Sequence, residues 1–321
     1  MEEQPVKIAF LYAGQGSQRA GMGKDIYEEF AQYREVVDSL ALSFDVKKLM
    51  HEGPLETLSL TEFTQPCMAV FAAGVTNVLK ENGIHPDAAC GLSLGEYGAL
   101  YASGVMDAVT YVEITAFRGN VMAQAAKGHE CSMSAVLGVE ADIVERACAV
   151  CGGHGFVTLA NYNCPQQYVI CGDEAAVSAA ENYLKEAGAR RCVRLNVSGP
   201  FHTKYMEPAA QALKQKLDEL IFAAPQIPVV MNVSGDYYRK EEDLKELLER
   251  QVKSSVHFEE SLKKLLEDGV DTFIEIGPGC ALSGFVKKTA KALDKKIQVV
   301  SVDTAKDLRT ILENREALIH G

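Results

Sequence analysis

Short apolar runs alternate along this chain with longer stretches whose apolar residues recur every three or four positions, the pattern of strands alternating with helices. Lys7-Ile8-Ala9-Phe10-Leu11-Tyr12-Ala13 is nearly unbroken by polar residues, as expected of a parallel strand buried on both faces. A helical stretch through Phe71-Ala72-Ala73-Gly74-Val75 follows, and then an apolar run that enters Gly91-Leu92-Ser93-Leu94-Gly95. This is α/β order, and it holds to about residue 125. Between Ser132 and Val197 the pattern becomes a compact β-α-β-β-α-β. Its strands are read at Ser134 to Val139, Val157 to Ala160, Tyr168 to Gly172 and Cys192 to Val197, with helices from Asp142 to Cys151 and Glu174 to Ala187. The first pattern resumes at His202, runs through Pro228-Val229-Val230-Met231 and Thr272-Phe273-Ile274-Glu275-Ile276, and closes on an amphipathic tail around Leu308, Ile311, Leu312 and Leu318. The fold class read from this is α/β, a hydrolase-like parallel-sheet core (residues 1–128 and 199–321) with an inserted small ferredoxin-like α+β domain (residues 129–198).

Chemistry enters at the breaks between elements. G-x-S-x-G between an apolar run and the helix-like Glu96-Tyr97-Gly98-Ala99-Leu100-Tyr101 is the setting of a nucleophile elbow. The two glycines suit a turn too crowded for a Cβ, and the helix that follows directs N–H groups at an oxyanion forming beside Ser93. Gly14-Gln15-Gly16-Ser17-Gln18 leaves the carboxyl end of the first strand, where open α/β sheets place ligands. It lacks the Gly-Lys-Ser/Thr of a phosphate-binding loop, and Arg19 stands where a dinucleotide fingerprint needs its third glycine, so nucleotide binding is disfavoured. Of the seven histidines, His51, His85, His129, His154, His202, His257 and His320, only His202 sits on a proline-stiffened turn between a strand and a helix, held as a general base must be.

Taken together, Gly14-Gln15-Gly16-Ser17-Gln18, Gly91-Leu92-Ser93-Leu94-Gly95-Glu96, Phe117-Arg118-Gly119, Pro200-Phe201-His202 and Gly277-Pro278-Gly279 resemble the malonyl-CoA:acyl carrier protein transacylases, and the related acyltransferase domains of polyketide synthases. The resemblance runs from about residue 6 to about residue 300, with the motifs in family order. It implies that Ser93 carries the malonyl group as an ester between coenzyme A and the phosphopantetheine thiol of acyl carrier protein, and that His202 is the base and then the acid. It further implies a main-chain carbonyl as the orienter of His202, at the position matching His257. The oxyanion donors would be the N–H groups of Gln15 and Leu94, and Arg118 would clamp the malonyl carboxylate. Asn161 and Asn163 match polar residues at the cleft mouth, and Phe201 matches the form of the motif that selects malonyl over its α-methyl homologue. Two positions depart from the family: Leu92 replaces a histidine before the serine, and His257 replaces a glutamine, which brings a titratable ring near the site. A serine hydrolase or thioesterase would share Ser93 and His202, and a non-catalytic acyl-binding partner is a third reading. Fatty acid synthesis and a polyketide line served in trans both remain open.

Composition narrows the rest. The chain has 321 residues, 47% hydrophobic and 24% charged, enough for a large core, and its net charge of −12 argues against nucleic acid as a partner. With no run of eighteen apolar residues and an acidic Met1-Glu2-Glu3-Gln4-Pro5 start, neither a membrane span nor a signal peptide is expected, and the protein reads as a cytoplasmic monomer. Nine cysteines without framework spacing suit a reducing compartment. Cys148, Cys151 and His154 lack a second ligand pair, so no metal is expected; nor is a cofactor, coenzyme A entering as a substrate thioester. An acidic carrier protein approaching an acidic enzyme needs a local basic patch. Arg190-Arg191 with Arg194, and Lys287-Lys288 with Lys291, are the candidates.

Overall fold

The structure, a computed structural model, describes residues 6–196 and 199–320. The calls on the acidic start at residues 1–5 and on the last strand residue Val197 therefore lie outside the described residues.

Two sheets organise the chain. The first is parallel, in the order β2 (Ala88–Gly91), β1 (Ile8–Tyr12), β8 (Thr272–Ile276) and β9 (Gln298–Val302). Every residue of β1, β2 and β8 is buried, which is why these strands read as continuous apolar runs rather than as alternation. Pro228-Val229-Val230-Met231 adds only single bridges, Val229 beside Ala89 and Val230 beside Tyr237. The hydrophobic pattern does not announce β9, because it is an edge strand following Lys295-Lys296 and only Val302 in it is fully buried. The helices Thr61–Glu81 and Ala108–Ala126 supply much of the apolar cover, with Val70, Phe71, Val75, Tyr111, Val112 and Ile114 in one core with Phe10 and Ile274.

The second sheet runs in the order β6 (Arg191–Arg194), β3 (Cys131–Leu137), β5 (Gln167–Asp173), β4 (Val157–Cys164) and β7 (Val256–His257). Its first four strands are antiparallel in ferredoxin-like order, and β7, returning from late in the chain, pairs parallel with the free edge of β4. Alternation along β5 shows how the sheet is used. Tyr168 and Ile170 join the cluster under the helices Ala141–Cys151 and Glu174–Glu186, while Val169 and Cys171 point the other way, into the main core. Cys148 and Cys151 lie in that helix-side cluster as buried thiols, and among the described residues no group of three or more His, Cys, Asp or Glu is placed to hold a metal ion.

The strand boundaries differ from the reading of the sequence, by most at three ends. β3 starts three residues earlier, at Cys131. β6 ends at Arg194. Most consequentially, β4 runs on past Ala160 to Cys164, so that Asn161 and Asn163 are strand residues two apart on one face. Their polarity disguises a strand because that face looks into a cleft.

Candidate active site

The elbow forms where β2 ends and the helix Gly95–Ala102 begins. A Cβ on Gly91 would sit 2.0 Å from the Gly95 carbonyl carbon and oxygen, and one on Gly95 would sit 2.0 Å from the carbonyl oxygen of Tyr12, so both positions are closed to any side chain by close approach. The positive φ of the turn falls on Ser93 itself, at 54°, a backbone strain typical of functional positions. His202 also lies in the left-handed region, at φ 60°. Thr203 ties its turn by donating from Oγ1 to the Pro200 carbonyl at 2.7 Å.

The two strained residues meet. Ser93 Oγ lies 2.7 Å from His202 Nε2, and His202 Nδ1 lies 2.9 Å from the main-chain carbonyl of Gln251. A carbonyl can only accept, so Nδ1 carries the proton and Nε2 offers its lone pair to the serine hydroxyl. Burial pushes the His202 pKa down to about 4, the Arg118 charge pushes the same way, and the backbone carbonyls of Gln251 and Ser254 oppose both. The ring is thus a neutral base at neutral pH.

This geometry corrects the expectation for His257. The carbonyl that holds His202 belongs to Gln251, six residues earlier, at the end of the helix Leu244–Lys253. His257 is turned away: its N–H donates to the Asn232 carbonyl at 2.8 Å, its own carbonyl accepts from Ser261, and its ring stacks on Tyr162 with centroids 4.9 Å apart. The cause is β7, which commits the His257 backbone to the edge of β4.

Arg118, 1% exposed on the helix Ala108–Ala126, reaches the same point. Its Nη1 donates to Gln65 Oε1 at 2.8 Å, and its Nη2 donates to Gln251 Oε1 at 3.0 Å and to Ser93 Oγ at 3.2 Å. Among the described residues no carboxylate forms an ion pair with it. The buried Glu96 is near enough to interact, but burial pushes that carboxyl up to about 8, only partly offset by the Asn232 N–H and by Arg118. A buried guanidinium without an anion, donating to a serine hydroxyl, has the chemistry to receive a carboxylate there.

A cleft of about 190 Å³, open to solvent, lies between the two sheets and is lined by Gln15, Ser93, Arg118, Asn161, Asn163, Phe201 and His202 among others. Leu94 is not on its wall; its side chain is buried in the main core at the start of the helix Gly95–Ala102. Leu92 faces the cleft. Met122, Met133, Val169 and Leu195 make the remaining wall apolar, and Asn163 Oδ1 is buried there without a partner.

Three buried amides complete the site and are absent from the sequence reading: Gln65, Asn232 and Gln251. Gln65 also donates to Gln15 Oε1 at 3.4 Å, while Gln15 Nε2 donates to Thr61, so the loop after β1 is tied to Arg118. Gln251 carries a signal in the sequence. It occupies the apolar stripe of its helix with Leu244, Leu247 and Leu248, where a polar residue needs a reason.

Of the two basic clusters, Arg194 is taken up inside the second sheet and its helices. It pairs with Glu174 at 2.9 Å and Glu181 at 2.7 Å and donates to Ser178 at 2.8 Å. Lys287 and Lys291, exposed on the helix Ala281–Ala292, have no ion-pair partner among the described residues.

Comparison with known proteins gives the family of the chain. Residues 9–319 match the acyl transferase domain family. A malonyl CoA-acyl carrier protein transacylase of Bacillus subtilis is 43% identical over 301 residues, covering 93% of this chain and 95% of that protein. The crystal structure of a malonyl CoA-acyl carrier protein transacylase from Clostridium perfringens superposes with a TM-score of 0.92 at 38% identity, over 97% of this chain and 98% of that one. A malonyl-transacylase in complex with its type II PKS acyl-carrier protein superposes with a TM-score of 0.90 at 33% identity, over 96% of this chain and all of that one.

Proposed function

The chain belongs to the acyl transferase domain family and is an acyltransferase, and we propose that it moves malonyl from coenzyme A to the phosphopantetheine thiol of an acyl carrier protein through an ester on Ser93. The observation that carries the substrate is Arg118, buried beside the nucleophile and lacking a carboxylate partner among the described residues. What supports the mechanism is the order of the contacts. Ser93 Oγ gives its proton to His202 Nε2 as it attacks the thioester carbonyl, and the imidazolium is steadied by the Gln251 carbonyl. The Ser93 N–H is already bonded to Asn232, so the oxyanion falls to the N–H groups of Gln15 and Leu94. The C–S bond breaks, His202 returns the proton to the departing thiolate, and coenzyme A leaves. The carrier thiol then repeats the sequence in reverse, giving its proton to His202, attacking the ester and restoring the Ser93 hydroxyl. The enzyme therefore alternates between two substrates in one cleft, a ping-pong course, and needs no cofactor because the acyl group arrives activated.

Asn161, Asn163 and the apolar wall suit a pantetheine arm, with amides to bond and methylenes to cover. Lys287 and Lys291 suit an acidic carrier protein. The nine free cysteines suit a reducing, cytoplasmic setting, and supply of fatty acid synthesis is the role we assign. A hydrolase is disfavoured by Arg118, which would hold malonate and slow its release. Incubation with labelled malonyl-CoA, with and without carrier protein, tests the reading. A stable label on Ser93 that moves to the carrier is the expected result; free malonate without the carrier would make it a hydrolase, and an unlabelled Ser93 would end the proposal.

A further inference from the structure

We propose that Asn232 is a positioning residue for the nucleophile: its side-chain amide grips the elbow backbone on both sides of Leu92 and keeps the Ser93 hydroxyl aimed at His202. The inference rests on the reading of Ser93 as the nucleophile. A serine at φ 54° holds a strained conformation that persists only where its surroundings impose it. The surroundings here come from far along the chain. Asn232 Oδ1 accepts from the Ser93 N–H at 2.7 Å, and its Nδ2 donates to the Gly91 carbonyl at 2.7 Å, so one amide spans the turn. Gln251 takes the next elbow group, donating to the Ser93 carbonyl at 2.7 Å.

Asn232 is itself fully buried and fixed along its backbone: its N–H donates to Glu96 Oε2 and its carbonyl accepts from the His257 N–H at 2.8 Å. The position therefore requires one donor and one acceptor on a short rigid side chain. A carboxylate would present no proton to the Gly91 carbonyl, and a serine hydroxyl is too short to reach both groups. The grip has a chemical consequence as well, because it takes the Ser93 N–H out of competition for the substrate oxygen.

The test compares wild type, Asn232→Ser and Asn232→Asp as full chains. It reads the rate of Ser93 sulfonylation by a small sulfonyl fluoride, with Ser93→Ala as the blank, alongside kcat and KM for malonyl-CoA and the folded fraction by circular dichroism. A loosened elbow lowers both the labelling rate and kcat of Asn232→Ser by ~10–100-fold, with KM within about twofold. Asn232→Asp, isosteric with the amide, recovers labelling as the pH is lowered, because only its protonated form can donate to the Gly91 carbonyl. Glu96, which accepts from the Asn232 N–H, and His257, whose N–H donates to the Asn232 carbonyl, are the ionisable residues bonded to it, and Glu96, its carboxyl pushed up by burial, is itself protonated as the pH falls and adds no opposing charge. Labelling by either variant at the wild-type rate, or a loss that only follows the folded fraction, overturns the proposal. A wild-type chain that is not labelled at Ser93 instead overturns the reading it rests on.

Discussion

Replacing Arg118 by alanine should separate malonyl from acetyl transfer. The guanidinium lies 3.2 Å from Ser93 Oγ and is 1% exposed, so the carboxylate of an acyl group on that oxygen meets it at close range and largely out of water. Opposite charges ~4 Å apart at an effective dielectric of about 20 attract by roughly 4 kcal/mol. Water entering the space vacated by the side chain recovers part of this, leaving a loss of about 2–4 kcal/mol, or ~30–1000-fold in kcat/KM for malonyl-CoA. Acetyl-CoA has no carboxylate to lose, and the unpaired cation it now has to face is removed, so its kcat/KM should hold or rise. Arg118→Lys keeps the charge without the fork that engages Gln65 and Gln251, and belongs between the two. The assay is initial-rate transfer to carrier protein from each donor. Near wild-type malonyl transfer by Arg118→Ala would refute the carboxylate clamp. An equal loss with both donors would refute it too, making Arg118 a strut for the glutamines instead.

The low pKa of His202 places the acidic limb of kcat/KM near pH 4 instead of near 6.5, because the free enzyme keeps its base neutral down to that point; Arg118→Ala should move the limb upward, and a wild-type limb between pH 6 and 7 would contradict the burial argument. Its folded pKa being depressed, the same group makes stability fall as pH drops from about 6.5 to about 4, since the unfolded chain takes up the proton first; urea titrations of wild type and His202→Ala across that window would differ in slope if this is right. His257→Gln should retain activity within about tenfold, since the ring stacks on Tyr162 and the Gln251 carbonyl orients the base, whereas a loss equal to that of His202→Ala would give the ring a catalytic part. Reversing Lys287 and Lys291 to glutamate should raise the carrier protein's KM and leave acylation by malonyl-CoA unchanged, while Arg194→Glu should lower thermal stability through lost pairs with Glu174 and Glu181; the opposite assignment of effects would move the docking face to the second sheet. Phe201→Ser opens the cleft wall beside His202, so methylmalonyl-CoA should gain on malonyl-CoA in competition assays, and an unchanged ratio would remove Phe201 from selectivity.

Sequence determined the parts whose chemistry is local. The G-x-S-x-G turn is legible because Gly91 and Gly95 touch groups only a few residues or one strand away, and no other residue fits there. β1, β2 and β8 are legible because burial on both faces leaves continuous apolar runs, and the β-α-β-β-α-β insert because its helices and strands differ in period. Tertiary structure decided everything that depends on which distant backbone groups meet. That the carbonyl on His202 is Gln251's and not His257's follows from β7 docking on β4, a pairing between segments nearly a hundred residues apart that no local pattern encodes. The strand reading stops at Ala160 because polar residues then interrupt the apolar pattern, yet the strand continues through Asn161 and Asn163, since their face borders a cleft rather than a core. Asn232 and Gln65 stayed silent because an amide is ordinary in a sequence, and becomes significant only when folding buries it against the elbow's own N–H and C=O groups, as for Asn232, or against Arg118, as for Gln65.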